Sequence, residues 1–206
     1  LAMGVLCFLV FAATLSILGK VRDPYRIDTG NRYARPTIQA PFGTDALGRD
    51  MLARTGNAMG TSMRVVLQSM ALSFGLALLL GSIAGYTAGG RPDKIITWVI
   101  SLLFTIPFIL MVVAVFAVIE PTLTRAYLVI GCIGWAAPAR LVRSEVMLHR
   151  GSAHVLAERA FGFSSASILF RSILPACFLS ALLRLLYFLP ELIGVEVGLA
   201  FFGLGA

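Results

Sequence analysis

The chain alternates long apolar runs with polar segments. Five apolar runs stand out, at 1–19, about 65–87, about 95–119, about 126–147 and about 174–195. Each is close to the roughly 20 residues with which a helix crosses about 30 Å of hydrocarbon. The runs are continuous rather than alternating, which favours helices over the strands of a membrane barrel. The pattern predicts an all-α integral membrane protein with five transmembrane helices in this chain.

Prolines and glycines modify these predicted spans. Three prolines fall within or near them: Pro107, Pro138 and Pro190. Neighbouring helices in a membrane bundle satisfy the carbonyls that a proline frees, so we expect kinks rather than helix ends. Gly81, Gly85 and Gly89 form overlapping GxxxG patterns, which let helix backbones approach closely. We therefore expect residues 65–206 to form a packed core.

The longest polar segment, 20–64, separates the first two runs. It has three prolines and eight basic residues against four acidic ones. We expect an ordered extramembrane segment with a short helix near 46–58. We expect Thr44 or Asp45 to cap this helix and Asp50 to pair with a basic neighbour. No histidine or third carboxylate is close in sequence to the two aspartates, so the segment does not predict a calcium or zinc site.

A second polar segment, 148–173, is a basic island between two apolar runs. Its pattern predicts a short helix, a turn at Gly162 and a second short helix. Weighting the charges of the short loops favours a cytoplasmic position for it. One interpretation is an ordinary basic loop at the lipid headgroups, and the other is a binding surface for a soluble partner protein. His149, His154 and the nearby serines lack a GxSxG elbow, so hydrolase chemistry is not predicted.

Composition agrees with a membrane protein. The 206 residues are 58% hydrophobic and 13% charged, with a mean hydropathy of +0.89, whereas a soluble domain is nearer half apolar and a quarter charged. The net charge of +7 comes from basic residues between apolar runs, where they meet lipid headgroups, and does not indicate nucleic acid. The three cysteines lie in apolar runs without a CxxC pair, which is typical of buried small side chains.

Five blocks of residues resemble the signatures of one family. They are Phe42-Gly43-Thr44-Asp45 with Leu47-Gly48-Arg49-Asp50; Gly85-Tyr86 with Gly89-Gly90 and Asp93; Trp135 through Arg143; Val155 through Gly162 with Ile173-Leu174-Pro175; and Glu196 with Phe201-Phe202-Gly203-Leu204-Gly205. They run in the family's order and spacing. The chain resembles the inner-membrane permease subunit of ABC importers, in the dipeptide, oligopeptide and nickel branch.

The resemblance implies a bacterial inner-membrane protein of six helices with both termini in the cytoplasm. The chain begins and ends within apolar stretches, so we expect further sequence at both ends, including the sixth helix. The implied partners are a second permease in a heterodimer, two ATPase subunits and an extracytoplasmic substrate-binding protein facing segment 20–64. The chain has no GxxxxGK[ST] loop, so it is not expected to be an enzyme, and ATP and Mg are expected on the ATPase subunits.

The resemblance also assigns the basic island to the EAA loop, whose coupling helix fits a cleft on the ATPase. The coupling residues would be Val155, Leu156, Ala157, Glu158, Arg159, Ala160, Gly162, Ile173 and Pro175. Glu158 departs from the family pattern, in which a small residue is usual at that position. We expect its carboxylate to pair with Arg159, with Arg150 or with a basic residue of the ATPase.

Charged residues in the last apolar run are candidates for a pathway or an interface. Arg184 lies in the middle of the run, where a charge costs roughly 2.5–3.5 kcal/mol on insertion scales. Glu191 would share its helix face, and Glu196 belongs to the last family block. One hypothesis is that these residues line a route for a polar substrate or face the partner permease. The other is a structural ion pair.

Short peptides are the expected substrate, although glutathione and chelated nickel fit the same branch. The alternative function is a self-contained channel or secondary carrier, for which intramembrane charges and broken helices are the signal. A membrane-embedded enzyme is a third interpretation, but the sequence offers it no nucleophile–base pair.

Overall fold

The computed structural model describes residues 23–120 and 122–203, together with positions 11, 14, 15 and 17. The first predicted span, at 1–19, lies mostly outside the described residues. The chain divides into two compact units, Leu1–Arg64 and Val65–Ala206.

The regular structure of the described residues is helical. The α-helices are α1 (Met51–Tyr86), α2 (Arg91–Leu103), α3 (Phe108–Phe116), α4 (Leu123–Gly134), α5 (Ala136–Arg150), α6 (Ala153–Ala160), α7 (Ser165–Ile168), α8 (Leu174–Leu185) and α9 (Leu189–Phe201). A π-helical turn at Leu169–Ile173 joins α7 to α8, and a 3-10 turn at Leu186–Phe188 joins α8 to α9.

Two helical stretches are long and apolar enough to cross a membrane, Met51–Tyr86 and Ser165–Leu183. The helices α2 and α3 form a third span if they count as one stretch, although they are bent by 79°. These spans confirm the predicted all-α membrane fold. The predicted span at 126–147 is instead divided between α4 and α5.

The helix predicted near 46–58 is not separate from the next span, because α1 runs unbroken for 36 residues. Its cap is also not the predicted Thr44 or Asp45. Asp50 precedes the helix, and its Oδ1 accepts hydrogen bonds from the N–H groups of Leu52 at 2.8 Å and Ala53 at 3.3 Å. These bonds satisfy two of the N–H groups that a helix start leaves free.

Each predicted proline kink coincides with an irregular turn. The bend between α2 and α3 ends at Pro107, α4 gives way to α5 at Trp135 just before Pro138, and the 3-10 turn lies just before Pro190. A proline at position i cannot donate to the carbonyl at i−4 and its ring crowds that carbonyl, so the preceding turn is where the helix yields. The same reason applies to Pro175, which follows the π-helical turn.

Glycines let α1 approach α5 closely. A Cβ on Gly81 would lie 2.6 Å from the carbonyl oxygen of Ala139, and one on Gly85 would lie 2.6 Å from that of Arg143. The predicted close packing is therefore confirmed for these two glycines. It is wrong for Gly89, which lies beyond α1 in a turn with φ +86°.

Serine hydroxyls join α1 to α4 inside the bundle. Ser73 Oγ donates to the carbonyl of Gly131 at 3.0 Å, and Ser69 Oγ donates to that of Tyr127 at 3.3 Å. Both serines are buried. Interhelical hydrogen bonds of this kind are typical of membrane bundles, where no water competes for the donor.

The unit Leu1–Arg64 contains a loop tied together by its own hydrogen bonds. Thr44 and Ala34 bond each other, through Thr44 N–H to the Ala34 carbonyl at 3.2 Å and Ala34 N–H to Thr44 Oγ1 at 2.8 Å. Asp28 N–H donates to the carbonyl of Leu47 at 3.2 Å. Gly48 adopts φ +75°, and a Cβ there would overlap the Asp28 carbonyl, so this position requires glycine.

Candidate coupling site and cavity

The 148–173 island folds as a helix, a glycine turn and a second helix, as its sequence predicts. Gly162 has φ +82° and ends α6. Its N–H donates to the Arg159 carbonyl at 3.0 Å, and the Phe163 N–H donates to the Glu158 carbonyl at 3.1 Å. This pair of bonds is the Schellman motif, which favours glycine at the left-handed position. Ser164 then caps α7 by accepting from the Ser167 N–H at 3.2 Å.

The inner side of this loop is anchored in an apolar cluster. Val155, the first coupling residue of α6, is fully buried, as is Ile173 at the end of the π-helical turn. They share the cluster with Val142 and Val146 of α5 and with Cys177 of α8. The loop is therefore packed against both the helix that precedes it and the helix that follows it.

The outer side of the same loop is apolar and exposed. Leu156 is 53% exposed, Phe161 82% and Phe163 55%. We call these three residues the coupling face. Phe170 is also exposed, but it belongs to the stretch Ser165–Leu183 that is apolar enough to cross a membrane. Arg159 and Ala160 on α6 are also exposed, as are Ala157 and Gly162. Exposed apolar and aromatic side chains close together in sequence are typical of a protein-binding surface.

The sequence predicted that Glu158 pairs with Arg159 or Arg150, but the structure gives it a different partner. Its Oε1 accepts a hydrogen bond from Ser172 Oγ at 2.6 Å, while Oε2 is buried without a hydrogen-bond partner in the described part of the chain. Arg159 lies over the ring of Tyr86, 5.4 Å from its centroid. Arg150, the last residue of α5, donates to the carbonyl of Tyr86, the last residue of α1, at 2.9 Å.

The first turn of α2 is tied to α5 by an ion pair with two hydrogen bonds. Arg143 Nε and Nη2 donate to the two carboxylate oxygens of Asp93, at 2.6 and 2.9 Å. Asp93 is buried and also accepts from the Gly89 N–H at 2.8 Å and from Thr97 Oγ1 at 3.1 Å. With four hydrogen bonds, this carboxylate is fully satisfied, which is what a buried charge requires.

Sequence reasoning missed this ion pair, although both of its residues lie in the family blocks. The two residues are 50 positions apart. The signal in the sequence was an acidic residue, Asp93, and a basic residue, Arg143, each near the end of one of two neighbouring apolar runs. The structure thereby links the turn, α5 and the coupling loop through Asp93, Arg143, Arg150 and Arg159.

A cavity of about 190 Å³ lies where the helices break. Its lining includes Pro107 at the α2–α3 bend, Pro138 near the α4–α5 break, and Phe188 and Glu191 at the α8–α9 turn. Glu191, predicted to lie on a pathway, is a lining residue of this cavity and is exposed. Glu196 is half-buried on α9 and is not a lining residue.

Arg184 belongs to α8, but its side chain lies outside the described residues. The expectation that Arg184 and Glu191 share one helix face assumed a continuous α-helix. That assumption is wrong, because the 3-10 turn Leu186–Phe188 separates α8 from α9.

Asp45 is the polar centre of the Leu1–Arg64 unit. It pairs with Arg54 and with Arg49, whose Nε lies 2.8 Å from Oδ2, and Oδ1 accepts from the N–H groups of Leu47 at 2.8 Å and Arg49 at 2.9 Å. Burial alone would raise the pKa of Asp45. The backbone hydrogen bonds and the Arg49 guanidinium outweigh it and lower that pKa to about 2.

Comparison with known proteins now identifies the chain. Residues 77–206 match the family described as the binding-protein-dependent transport system inner membrane component. This match covers more than half of the chain and includes the coupling loop, the Asp93–Arg143 pair and every lining residue of the cavity except Ser73. The chain belongs to this family. It is thus an inner-membrane component of a transport system, as the resemblance of its five blocks implied.

Curated relatives extend the likeness of this transport component to its whole length. It is 29% identical to the dipeptide transport system permease protein DppC of Bacillus subtilis (strain 168) over 208 residues, covering 100% of this chain and 65% of the relative. It is 30% identical to the oligopeptide transport system permease protein OppC of the same organism, covering 100% of this chain and 68% of the relative. The chain thus spans about two thirds of the length of the relatives.

A third relative is the oligopeptide transport system permease protein OppC of Mycobacterium tuberculosis (strain ATCC 25618 / H37Rv). The identity is 31% over 166 residues, which cover 80% of this chain and 57% of the relative. All three relatives are named as permeases for peptides, and the likeness to the first two includes the Leu1–Arg64 unit that the family match leaves out.

Proposed function

We propose that this chain is the permease subunit of an ATP-driven ABC importer and forms half of the translocation pathway for short peptides. The observation that carries the proposal is the two-sided coupling loop. Its inner residues, Val155 and Ile173, are buried against α5 and α8, and its outer coupling face is apolar and exposed. A rigid surface with these two sides transmits a push from a soluble partner to the helices behind it.

The proposed partners follow from the family and from the sequence, which contains no GxxxxGK[ST] loop for binding ATP. A second permease completes the pathway, two ATPase subunits bind ATP and Mg and dock on the coupling face, and an extracytoplasmic binding protein delivers substrate to segment 20–64. ATP binding closes the ATPase subunits and moves the coupling loop, so the free energy enters through a subunit other than this one. The chain itself carries out no hydrolysis in this scheme.

Short peptides are the proposed cargo because the relatives are named for dipeptides and oligopeptides. Chelated nickel and glutathione remain the competing substrates within the same branch. Uptake of labelled di- and tripeptides by cells expressing the complete transporter, with unlabelled glutathione and chelated nickel as competitors, separates these cargoes.

A self-contained channel or secondary carrier is the second candidate. One observation favours it: helices broken at Pro107 and next to Pro138 surround a cavity lined by Glu191, and such breaks are typical of secondary transporters. A carrier of this kind needs no ATPase partner, so the coupling face would have no occupant.

Copurification tests the coupling face. The tagged full-length protein is extracted in mild detergent and its partners are identified and quantified. We expect a P-loop ATPase and a second permease in stoichiometric amounts. Replacing Phe161 and Phe163 together by alanine should release the ATPase and retain the second permease. Ile38→Ala is the matched control, since Ile38 is 98% exposed in the other unit and lies away from the loop in sequence.

Two results would contradict the proposal. A wild-type protein that purifies as a homo-oligomer without an ATPase would support the channel or carrier. An ATPase that stays bound to the Phe161 and Phe163 double variant as firmly as to the Ile38→Ala control would show that docking uses a different surface.

A further inference from the structure

The cavity at the helix breaks is lined by the two prolines at which those breaks occur. Because prolines have no N–H, Pro107 and Pro138 cannot donate to the carbonyls of Leu103 and Gly134, four residues earlier. All four of these residues line the cavity. The helix breaks thus deprive the carbonyls of two lining residues, Leu103 and Gly134, of their usual helical donors.

The side chains of the lining add acceptors of their own. Ser73 lines the cavity and already uses its hydroxyl proton on the Gly131 carbonyl, so its oxygen has only accepting capacity left. Glu191 contributes a carboxylate and is the charged residue among the lining residues. A site with several acceptors and a negative charge suits a ligand group that brings donors and a positive charge.

The rest of the lining is apolar. Phe104, Phe108, Met111 and Phe188 all face the cavity. Its volume of about 190 Å³ is below the ~300–1,000 Å³ of pockets for whole drug-sized ligands, so it suits one end of a longer molecule. A primary ammonium with a neighbouring apolar side chain satisfies both parts of the wall, because the ammonium supplies three donors.

We propose that this cavity binds the N-terminal residue of a peptide, with Glu191 as the counter-ion of its ammonium group and the phenylalanines around its first side chain. The inference rests on the proposed peptide import and adds which end of the peptide this permease recognises. Arg140 lies over the ring of Phe104, 4.3 Å from the centroid, and is not itself a lining residue.

A purely structural role for Glu191 is the competing explanation. Glu191 lies in the first turn of α9, where a carboxylate stabilises the positive end of the helix dipole. That role predicts lower stability or assembly on mutation, but it predicts no change in the preference between two peptides. The experiment therefore measures a ratio of substrates.

The test compares a short peptide that has a free N-terminus with its N-acetylated form. Uptake of both is measured in proteoliposomes that contain the complete transporter and its binding protein, with wild type, Glu191→Gln and Glu120→Gln. Glu120 is the control because its side chain is 85% exposed and it does not line the cavity. Wild type and Glu120→Gln should share one preference for the free amine. Glu191→Gln should lose about tenfold of that preference, the size expected for a lost charge-assisted hydrogen bond. The same binding protein serves all three, so a changed ratio reports on the permease.

The outcomes separate the two proposals. If wild type imports no peptide, the proposed function fails and this inference fails with it. If peptides are imported and Glu191→Gln keeps the wild-type ratio, only the inference is overturned. If Glu191→Gln does not assemble, a peptide with a photoreactive first side chain is applied to the wild-type complex. Labelling of Phe104, Phe108 or Phe188 is then expected, and labelling confined to other parts of the transporter would overturn the inference.

Discussion

The two polar segments of this chain are held in opposite ways. The segment that precedes α1 is organised by polar bonds, with Asp45 binding Arg49, Arg54 and two backbone N–H groups. The coupling loop is organised by burial, with Val155 and Ile173 fully enclosed by the side chains of α5 and α8.

This difference decides which side chains of each segment are available to contact another protein. In the first segment the carboxylate of Asp45 is already paired with Arg49 and Arg54, so its charge is not available to a partner protein. In the coupling loop the apolar contacts lie underneath, which leaves Leu156, Phe161 and Phe163 free on the outside. The buried side chains hold the loop against α5 and α8, and the outer side chains stay available for a partner. A rigid loop with an exposed outer face can transmit force.

Two glycines with positive φ provide the strongest test of the comparison. Gly48→Ala adds left-handed strain and a clash with the Asp28 carbonyl, and should destabilise its segment by at least about 3 kcal/mol. Gly162→Ala adds only the strain, about 1–2 kcal/mol, because a Cβ there meets open space. Protease resistance of each segment measures the effect, and Gly75→Ala, an open position within α1, is the control.

The same glycine tests coupling when a charge is introduced. Gly162→Asp should remain in the membrane and lose most transport, since it strains the Schellman turn and places a carboxylate beside the coupling face. Undiminished peptide uptake at equal membrane content would refute the role of Gly162 in coupling.

Two neighbouring residues of α6 separate anchoring from docking. Val155→Ala should lower the stability of the loop by roughly 1–3 kcal/mol, because it leaves a cavity in the apolar cluster. Leu156→Ala should change stability by less than about 0.5 kcal/mol and should weaken ATPase retention instead. Thermal unfolding and copurification are the two readouts. Similar results for both variants would remove the distinction between the two sides of the loop.

Acid should loosen the first segment through Asp45. The pKa of this carboxyl is lowered to about 2 from an ordinary value of 3.8. Its ionised form stabilises the fold, so this contribution is complete above about pH 4 and is lost as the pH falls towards 2. Hydrogen exchange of residues 28–50 should accelerate over that window. Asp45→Asn should show the loosened segment already at pH 7 and lose this pH dependence.

The last test concerns the hydrogen bond between Ser172 and Glu158 inside the coupling loop. Ser172→Ala removes the donor to Glu158 Oε1 and leaves a carboxylate in a half-buried site without it, at a cost of about 1–3 kcal/mol. Glu158→Ala removes the carboxylate altogether and should cost less. Unfolding of the two variants and of the double variant compares them. A larger loss for Glu158→Ala than for Ser172→Ala would show that the carboxylate has a stabilising partner other than Ser172.

The local sequence was sufficient for features that depend on neighbouring residues. Continuous apolar runs predicted membrane helices, since hydrocarbon rewards apolar side chains whatever their partners. The signature blocks indicated the family, and Gly162 indicated the turn, because only glycine adopts a left-handed backbone at little cost.

Features that depend on contacts across the fold required the tertiary structure. The sequence placed kinks at the prolines, but not the 79° bend between α2 and α3 or the cavity where three breaks meet. The sequence predicted that Glu158 pairs with an arginine, whereas in the structure it accepts a hydrogen bond from Ser172, 14 residues away. The two arginines, Arg150 and Arg159, contact Tyr86 instead. A charged side chain bonds with whatever the packing of the helices brings within reach. The identity of that partner is therefore a property of the assembled bundle.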